Sequence, residues 1–384
     1  MDLEQLRLQF PALTDKGYFN FGGQGPLSRK ALNAIISSYD KVQVQGPFSI
    51  TVNAWAQDVI AATKQAICSE VGGQPRNITL TENVTMGCNI ALWGIEWQEG
   101  DEILVGDCEH PGIIGILQEL VHRFGVKLNF CSIFDTLNEG DPTEVISQAL
   151  TPKTRCLVIS HLPWNTGQVL PLKEICDVCH SQDVQVMVDA AQSVGGLDLD
   201  LVDIGVDFYA FTGHKWCCGP AGVGGFFISD AAMETLRPTF IGWRGMKTWP
   251  SPEEVTLKND GNQYEVATSA YPLQVGLTEA ITLHQSWGTS AERYAKICEM
   301  SAYAWERLNA IDGVSCLKNS PPKSGLVSFK VDSPKGHKKL VEILEGKGFC
   351  LRTLTYPDCI RACTHYFTTE AEIDAMAIAL ESVI

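Results

Sequence analysis

The feature that most constrains the fold is a regular alternation of short β-rich runs and helical stretches between residues 76 and 230. The predicted strands are 78–80, 103–105, 127–130, 156–160, 184–188, 208–211 and 224–228. The clearest helical patterns between them are 86–97, 112–124 and 172–180. Alternation of this kind is typical of βα units around a largely parallel sheet. The sequence therefore predicts an α/β fold with a mostly parallel seven-stranded sheet.

The rest of the chain predicts a second, smaller α+β unit. Residues 241–252 are rich in Trp, Pro and Gly and are interpreted as irregular, and a long helical region follows from about Pro272 to Ala310. Beyond it we predict a strand at 326–330, a helix near 336–347, a strand at 349–353 and a helix after Thr369. A chain of 384 residues suits two domains. We place a large domain at 15–255 and a small domain at 1–14 plus 256–384.

Charge and cysteine content disfavour several classes of protein. A net charge of −16 repels phosphate backbones and anionic lipid, so neither a nucleic-acid nor a membrane partner is expected. The N-terminal residues lack the pattern of a signal peptide, which predicts a cytoplasmic protein with its fourteen cysteines reduced. Cys176 and Cys179 form a CxxC, but Cys176 falls within an apolar helical pattern and no second CxxC lies at zinc-finger spacing. We therefore expect no metal.

Polar segments follow five of the predicted strands, where ligands of an open α/β sheet bind. These segments are 81–85, 107–112, 161–167, 189–193 and 212–225. Taken singly, the first is explained as a helix N-cap, although the same N–H groups can bind a phosphate. The histidine of the second and the asparagine of the third are ordinary loop or turn residues when considered alone.

Two residues in these segments suggest chemistry. Asp189 follows an apolar strand, and a buried carboxylate is costly without a partner such as a cationic ring nitrogen. Lys215 lies between a strand and a glycine-rich turn, where desolvation lowers the pKa of a lysine and favours Schiff-base formation. The simpler alternatives stay open: Asp189 as a helix N-cap and Lys215 as a salt-bridge partner.

Three stretches together carry a resemblance to a known family. They are VDAAQS at 188–193, TGHKWCCGPAGVG at 212–224 and RACTHYFTTE at 361–370. The chain resembles the class V aminotransferase group of fold-type I enzymes that use pyridoxal 5′-phosphate (PLP), a group that includes the cysteine desulfurases. The resemblance implies the fold-type I PLP-dependent transferase fold, PLP as cofactor, a small-molecule amino acid as substrate and a homodimer with shared active sites.

The resemblance also implies roles for individual residues. Lys215 would hold PLP as a Schiff base and move the Cα proton, Asp189 would keep the pyridine nitrogen protonated, and His110 would stack on the ring. The further cofactor-binding residues would be Asn165 and Gln192 near the phenolic oxygen, and Asn83, Val84, Thr85, Thr212 and His214 at the phosphate. In relatives, the residue matching Thr268 reaches the phosphate of the neighbouring subunit, although here Ala267 replaces the family's glycine. Arg361 would bind the substrate carboxylate in a bidentate manner.

One departure from the desulfurases bears on the reaction. Those enzymes place a nucleophilic cysteine after an arginine in a pattern like R-x-G-x-x-C, whereas here Arg352 is followed by Pro357 at the place of the cysteine. Cys359, two residues before Arg361, would be held against the carboxylate site. The sequence therefore resembles a cystine C–S lyase of the cyanobacterial type. Such an enzyme cleaves L-cystine or L-cysteine by β-elimination, and Arg352 would bind the second carboxylate of cystine.

The expected products are pyruvate, ammonia and a persulfide, which is a plausible sulfur donor for iron–sulfur cluster assembly. The main alternative is a cysteine desulfurase or selenocysteine lyase that uses Cys359 or another thiol and releases alanine. An epimerase or aminotransferase of the same fold, or a non-catalytic protein that kept the fold, are further alternatives, because fold does not determine chemistry.

Overall fold

The structure is a computed structural model that describes residues 1–251 and 253–384. Its helices are α1 Leu3–Arg7, α2 Arg29–Gln45, α3 Ile50–Val71, α4 Val84–Gly94, α5 Pro111–Phe124, α6 Pro142–Ala149, α7 Leu172–His180, α8 Leu201–Ile204, α9 Asp230–Thr235, α10 Tyr271–Gln285, α11 Ser290–Asn309, α12 Gly336–Gly346 and α13 Glu370–Glu381. Its strands are β1 Gly17–Tyr18, β2 Ile78–Thr81, β3 Glu102–Gly106, β4 Lys127–Cys131, β5 Thr154–Ser160, β6 Gln185–Asp189, β7 Phe208–Thr212, β8 Gly224–Ile228, β9 Met246–Ser251, β10 Glu254–Leu257, β11 Val314–Cys316, β12 Leu326–Val331, β13 Phe349–Cys350, β14 Arg352–Thr355 and β15 Asp358–Cys363. Within the described ranges, no helix has both the length and the apolar character needed to cross a membrane.

A seven-stranded sheet forms the centre of the molecule, with strand order β2-β8-β7-β6-β5-β3-β4. Six strands point the same way, and β8 runs antiparallel to both of its neighbours. All seven predicted strands are present within two residues of their predicted bounds. The predicted α/β fold with a mostly parallel sheet is therefore confirmed.

Both faces of this sheet are buried, which explains why its strands are apolar runs rather than alternating ones. In β6, Val186 and Val188 lie in one apolar core together with Ile175 of α7. Met187 between them points to the other core, where it joins Leu117 of α5. Helices on both faces leave only the strand ends open to a ligand.

The second sheet is antiparallel, with order β11-β12-β15-β14, and it packs with α11, α12 and α13 around a separate core. Leu6 and Phe10 of the N-terminal segment pack against Tyr366 and Phe367. The same core also contains Leu162 and Trp216 of the predicted large domain, so the domain boundaries stay a prediction.

The predicted strand 349–353 is wrong as a single element. Phe349–Cys350 pairs in parallel with β1, and a new strand begins at Arg352 and pairs with β15. Neither β11 nor β15 was predicted from the sequence. A pattern of side chains alone does not show that neighbouring residues of one extended run pair with different partners.

The predicted helical region from about Pro272 to Ala310 is present, and it consists of two helices, α10 and α11. Thr289 caps α11, and its hydroxyl and backbone exchange hydrogen bonds with Glu292. This capping box begins a new helix directly after Gly288.

The interpretation of 241–252 as irregular is wrong for Met246–Ser251, which forms a hairpin with β10. The hydroxyls of Thr248 and Thr256 lie 2.8 Å apart across this hairpin. The high content of Pro and Gly concealed the strand pattern in the sequence. Pro252, the last residue of the predicted irregular segment, lies outside the described residues.

Candidate active site

All five polar segments meet at one edge of the large sheet, because they follow the carboxyl ends of strands that point the same way. A cavity of about 440 Å³ opens there. Its lining includes five of the predicted site residues, namely His110, Gln192, Lys215, Arg352 and Arg361. The other lining residues are Asn20, Gly22, Gly23, Gln24, Trp164 and Leu354.

Lys215 follows β7 and is half-buried. Burial lowers the pKa of its amine from the ordinary value of 10.5 to about 8; the negative charge of Asp189 opposes this effect and the positive charge of Arg361 adds to it. A lysine with a pKa near 8 has a substantial neutral fraction at physiological pH, and the neutral amine is the form that condenses with an aldehyde. The structure therefore places a nucleophilic amine in the cavity.

The backbone around Lys215 is held by hydrogen bonds from distant parts of the chain. The carbonyl of His214 accepts from Gly25 N at 2.8 Å. The carbonyls of the two residues after Lys215 accept from buried histidines: Trp216 O from His365 Nε2 at 3.0 Å, and Cys217 O from His284 Nε2 at 2.9 Å. Burial lowers the pKa of both imidazoles, to about 3 for His284, so both rings are neutral donors. The sequence analysis missed both histidines.

Asp189 ends β6 and is buried, and its Oδ1 accepts a hydrogen bond from Ala191 N at 2.9 Å. Burial raises the pKa of this carboxyl, while the bond from Ala191 and the charge of Lys215 oppose the rise. Among the described residues it makes no ion pair. A buried carboxylate without a cationic partner fits a ligand that carries a protonated nitrogen.

A second buried acid, Glu109, lies near Asp189 and was missed in the sequence. It accepts hydrogen bonds from the backbone nitrogen and the hydroxyl of Ser160, both at 2.8 Å. Burial, together with the negative charge of Asp189, raises its pKa to about 8. Near neutral pH Glu109 is therefore largely protonated, which limits the repulsion between the two carboxyl groups.

His110 is the N-cap of α5, and its Nδ1 accepts from Gly112 N at 3.1 Å. Because Nδ1 accepts, the neutral ring carries its proton on Nε2. Partial desolvation lowers the pKa of the imidazole. The ring meets Trp164 edge-on, with centroids 5.7 Å apart, and the two rings together form an aromatic part of the cavity surface.

The predicted phosphate-binding residues lie beside this cavity. Asn83 is the N-cap of α4 and accepts from Met86 N at 3.0 Å, so α4 directs its first N–H groups, including those of Val84 and Thr85, towards this edge of the sheet. Gly224 lies between Thr212 and Asn83, since a Cβ at this position would lie 3.1 Å from Thr212 Cα and 3.4 Å from Asn83 Cα. The two predicted phosphate-binding segments are therefore close to each other. A helix N-terminus beside polar side chains suits an anion.

Thr212 and His214, the other two predicted phosphate-binding residues, are in contact with each other. The hydroxyl of Thr212 and Nδ1 of His214 lie 2.5 Å apart. This contact orients both side chains at the end of β7, next to Lys215.

Asn165 and Gln192 differ in how much of their hydrogen-bonding capacity the protein uses. Asn165 donates from Nδ2 to Tyr356 O at 3.1 Å, but its buried Oδ1 has no partner. Gln192 donates to Gly22 O and accepts from Trp216 Nε1, both at 2.9 Å. Asn165 therefore has an acceptor available for a ligand, whereas Gln192 is already held by the protein on both sides of its amide.

The two arginines face each other across β14 and β15, where Arg352 and Arg361 are directly paired. Arg361 is buried and donates from Nη1 to Trp164 O at 2.8 Å, but its buried Nε has no partner. Arg352 is exposed at the cavity mouth. Like charges directly opposite each other destabilise a sheet, so a bound anion would relieve this arrangement.

Thr268 does not line the cavity that contains Lys215. It is exposed and lines two neighbouring hollows, one with Thr81 and Phe240 and the other with Tyr39 and Trp243. The large apolar side chains on this surface are partly exposed, among them Tyr39, Phe240 and Trp243. The predicted contact of Thr268 with the phosphate of the neighbouring subunit stays a prediction.

No cysteine is placed to act as a nucleophile. The Tyr356–Pro357 turn joins Thr355 to its partner Asp358, so Pro357 lies in a two-residue hairpin turn. Cys359 is buried within β15, and burial raises the pKa of its thiol to about 12. All fourteen cysteines are free, eleven are buried and three partly buried, and none belongs to the described lining of the cavity.

The fold and these residues can be compared with known proteins. The family model described as aminotransferase class-V matches residues 23–376. The chain belongs to the class-V aminotransferase family. The resemblance stated from the sequence is thus confirmed, and the cofactor of this class-V enzyme is PLP.

Two solved structures of C-DES are 50% identical to the class-V enzyme described here. One is a complex of the cystine C–S lyase C-DES with its reaction product cysteine persulfide; the TM-score is 0.95, with 98% of this chain and 100% of that chain covered. The other is a lysine-to-alanine variant with glycine covalently linked to the PLP cofactor, with a TM-score of 0.96 over 98% of this chain and 99% of that one.

More distant relatives carry other activities. Isopenicillin N epimerase of Streptomyces clavuligerus is 26% identical over 95% of this chain and 94% of its own length. A probable cysteine desulfurase of Methanothermobacter thermautotrophicus is 25% identical over 100% of this chain and 98% of its own length. The family therefore spans several reactions, and the reaction has to be argued from the site.

The sequence analysis also missed the N-terminal part of the cavity. A Cβ at Gly22 would lie 2.9 Å from Arg361 Cζ, so only glycine allows this close approach. The two consecutive glycines Gly22 and Gly23, close to Asn20, were the feature of the sequence that could have indicated a close approach of the backbone to the cavity. Trp164 lies within the predicted polar segment 161–167, but no role was predicted for it.

Proposed function

We propose that this enzyme cleaves the carbon–sulfur bond of L-cystine by β-elimination and releases pyruvate, ammonia and cysteine persulfide. The observation that carries the proposal is the combination of a reactive Lys215 with a cavity whose described lining contains no cysteine. A cysteine desulfurase requires a protein thiol at the substrate sulfur. The 50% identity to the cystine C–S lyase C-DES supports the same proposed reaction.

The residues fit PLP. Asn165 Oδ1 is a buried acceptor without a partner, and Asp189 is a buried carboxylate that a protonated ring nitrogen would satisfy. We assign Thr212, His214 and the α4 N-terminus, with Asn83, Val84 and Thr85, to the phosphate. His110 covers one face of the ring, and Asn165 and Gln192 border its phenolic oxygen.

Bound PLP supplies the electron sink that makes the Cα proton of an amino acid acidic. Lys215 then accepts that proton at Nζ, which its lowered pKa permits near neutral pH. Asp189 holds the proton at the ring nitrogen, and neutral His110 excludes water from the exposed face. Arg361 orients the substrate through its α-carboxylate.

Cystine carries a second carboxylate, and Arg352 is the second guanidinium at the same cavity. Its exposed position at the mouth suits the distal half of a long substrate. We assign the distal carboxylate to Arg352. L-cysteine, with one carboxylate, would use Arg361 alone.

The proposal extends to assembly and cellular role. The exposed apolar surface around Thr268 supports a homodimer in which Thr268 contacts the phosphate of the partner subunit. We place the enzyme in the cytoplasm, with the persulfide serving as a sulfur donor, iron–sulfur cluster assembly being one use.

A product analysis of the Cys359→Ala variant tests the reaction. We expect it to retain most of the wild-type activity on cystine, with pyruvate as the carbon product, because the thiol is buried and poorly ionised. Cys363→Ala serves as the matched control, since it removes another buried cysteine of β15. In the wild-type enzyme, alanine as product, with an added sulfur on Cys359 in the mass spectrum after one turnover, would instead establish a desulfurase or selenocysteine lyase.

A further inference from the structure

The cavity contains a hydrogen-bond donor that the reaction described above does not use. Trp164 Nε1 is buried and has no partner, although Trp164 lines the cavity. A buried N–H without a partner is costly, and tryptophan normally satisfies it when buried. Among the described lining residues, the other buried donor without a partner is Arg361 Nε, which is assigned to the substrate carboxylate.

The indole is held in place from two sides. The carbonyl of Trp164 accepts from Arg361 Nη1 at 2.8 Å, and the next residue, Asn165, donates to Tyr356 O at 3.1 Å. The ring itself meets His110 at 5.7 Å between centroids, with an interplanar angle of 72°. The N–H is therefore preorganised before a substrate enters, which is the condition under which a donor contributes to catalysis.

The leaving group of the proposed reaction needs such a donor. When the Cβ–S bond breaks, its electron pair goes to sulfur, the Cα proton goes to Lys215, and the sulfur fragment leaves as an anion. In the described lining, an acid that can protonate this sulfur is Lys215, once it holds the Cα proton. A neutral donor beside the sulfur stabilises the developing charge while the bond breaks, before that proton is transferred.

We propose that the indole N–H of Trp164 donates a hydrogen bond to the sulfur atom that leaves. This inference rests on the proposed β-elimination. It makes Trp164 a determinant of specificity for disulfide amino acids, because a persulfide leaves readily as an anion stabilised by one neutral donor. A simple thiolate is a poorer leaving group and depends more on proton transfer from an acid such as Lys215.

The test compares two substrates in the holoenzyme of the Trp164→Phe variant. Phenylalanine keeps an aromatic ring against His110 but removes the N–H together with one ring of the indole, so the comparison between the two substrates isolates the effect of the N–H. We expect kcat for cystine to fall about 10-fold or more, since one hydrogen bond to a developing charge has an effect of this order. The kcat for β-chloro-L-alanine should stay unchanged, because chloride needs no donor to leave.

A binding measurement supplies a readout that is independent of turnover. The holoenzyme is titrated calorimetrically with 3-mercaptopropionate, which has a carboxylate and a sulfur but no amine, and with butyrate. The variant should bind 3-mercaptopropionate several-fold more weakly and butyrate as the wild type does. Trp305→Phe, which removes an N–H that donates to Lys318 O on the small domain, is the control and should change neither affinity nor either kcat.

The outcomes separate the two proposals. Equal losses on both substrates in Trp164→Phe would mean that the indole serves the cofactor or the carboxylate, and they would overturn the inference. Unchanged activity on cystine would overturn it as well. A wild-type enzyme that turns over β-chloro-L-alanine but releases no pyruvate from cystine would instead refute the proposed function.

Discussion

The two sides of the cavity differ in how they are built. The sheet side consists of His110, Trp164, Gln192 and Lys215, which follow strand ends of the large sheet. The terminal side consists of residues 20–24 and the β14–β15 hairpin, from opposite ends of the chain. The sheet side holds the groups that fit PLP, and the terminal side holds the two arginines. In the proposed assignments, the groups that act on the cofactor come from the sheet side and the guanidinium groups that bind the substrate carboxylates come from the terminal side, while Trp164 of the sheet side adds selectivity for the sulfur.

The largest expected effect comes from the sheet side. Lys215→Ala removes the amine that is proposed to bind the cofactor and to move the Cα proton, so pyruvate formation should fall at least about 1,000-fold. The variant should still bind PLP through the phosphate and ring contacts, but borohydride should no longer attach the cofactor to the protein, as absorbance after gel filtration will show. Activity close to wild type would refute the assignment of Lys215.

Smaller and more selective effects are expected from the terminal side. Arg361→Lys should lower kcat/KM for every amino-acid substrate by about 10- to 100-fold, since lysine cannot supply the planar fork that binds a carboxylate. Arg352→Lys should affect cystine more than cysteine, because only cystine has a distal carboxylate. Steady-state kinetics on both substrates measures the difference, and equal losses in Arg352→Lys would remove its proposed role.

The smallest expected effect is a pH dependence of cofactor uptake. Burial lowers the pKa of Lys215 to about 8, so below this value the amine is mostly protonated and cannot condense with PLP. The rate at which the apoenzyme binds PLP covalently should rise about tenfold per pH unit below pH 8 and level off above it. Stopped-flow absorbance measures the rate. A profile that levels off only near pH 10.5 would mean that the lysine is not desolvated.

The sheet side was accessible to sequence reasoning because its information is local. Each strand is an apolar run, and Asp189, Lys215 and His110 lie within a few residues of a strand end. The carboxyl ends of parallel strands lie at the same edge of a sheet. The alternation of strands and helices was therefore enough to predict that these residues lie close together. The family resemblance added the roles but was not needed for the placement.

The terminal side and the support behind Lys215 depend on contacts that are distant in sequence. Gly22 meets Arg361, and His284 and His365 bind carbonyls directly after Lys215. A histidine in an apolar helix gives no sign of which carbonyl it will reach. The pairing of the 349–355 segment with both β1 and β15 could not be predicted for the same reason, because the tertiary structure determines which strands pair.

The two-residue turn between β14 and β15 has a consequence for how sulfur travels. Two residues span about 7 Å at most, and Asn165 anchors the turn by its bond to Tyr356 O. A turn of this length cannot carry a side chain from the cavity to an acceptor protein docked on the surface. In the proposed reaction the sulfur therefore leaves as the small molecule cysteine persulfide, and its release does not use a cysteine carried on this turn.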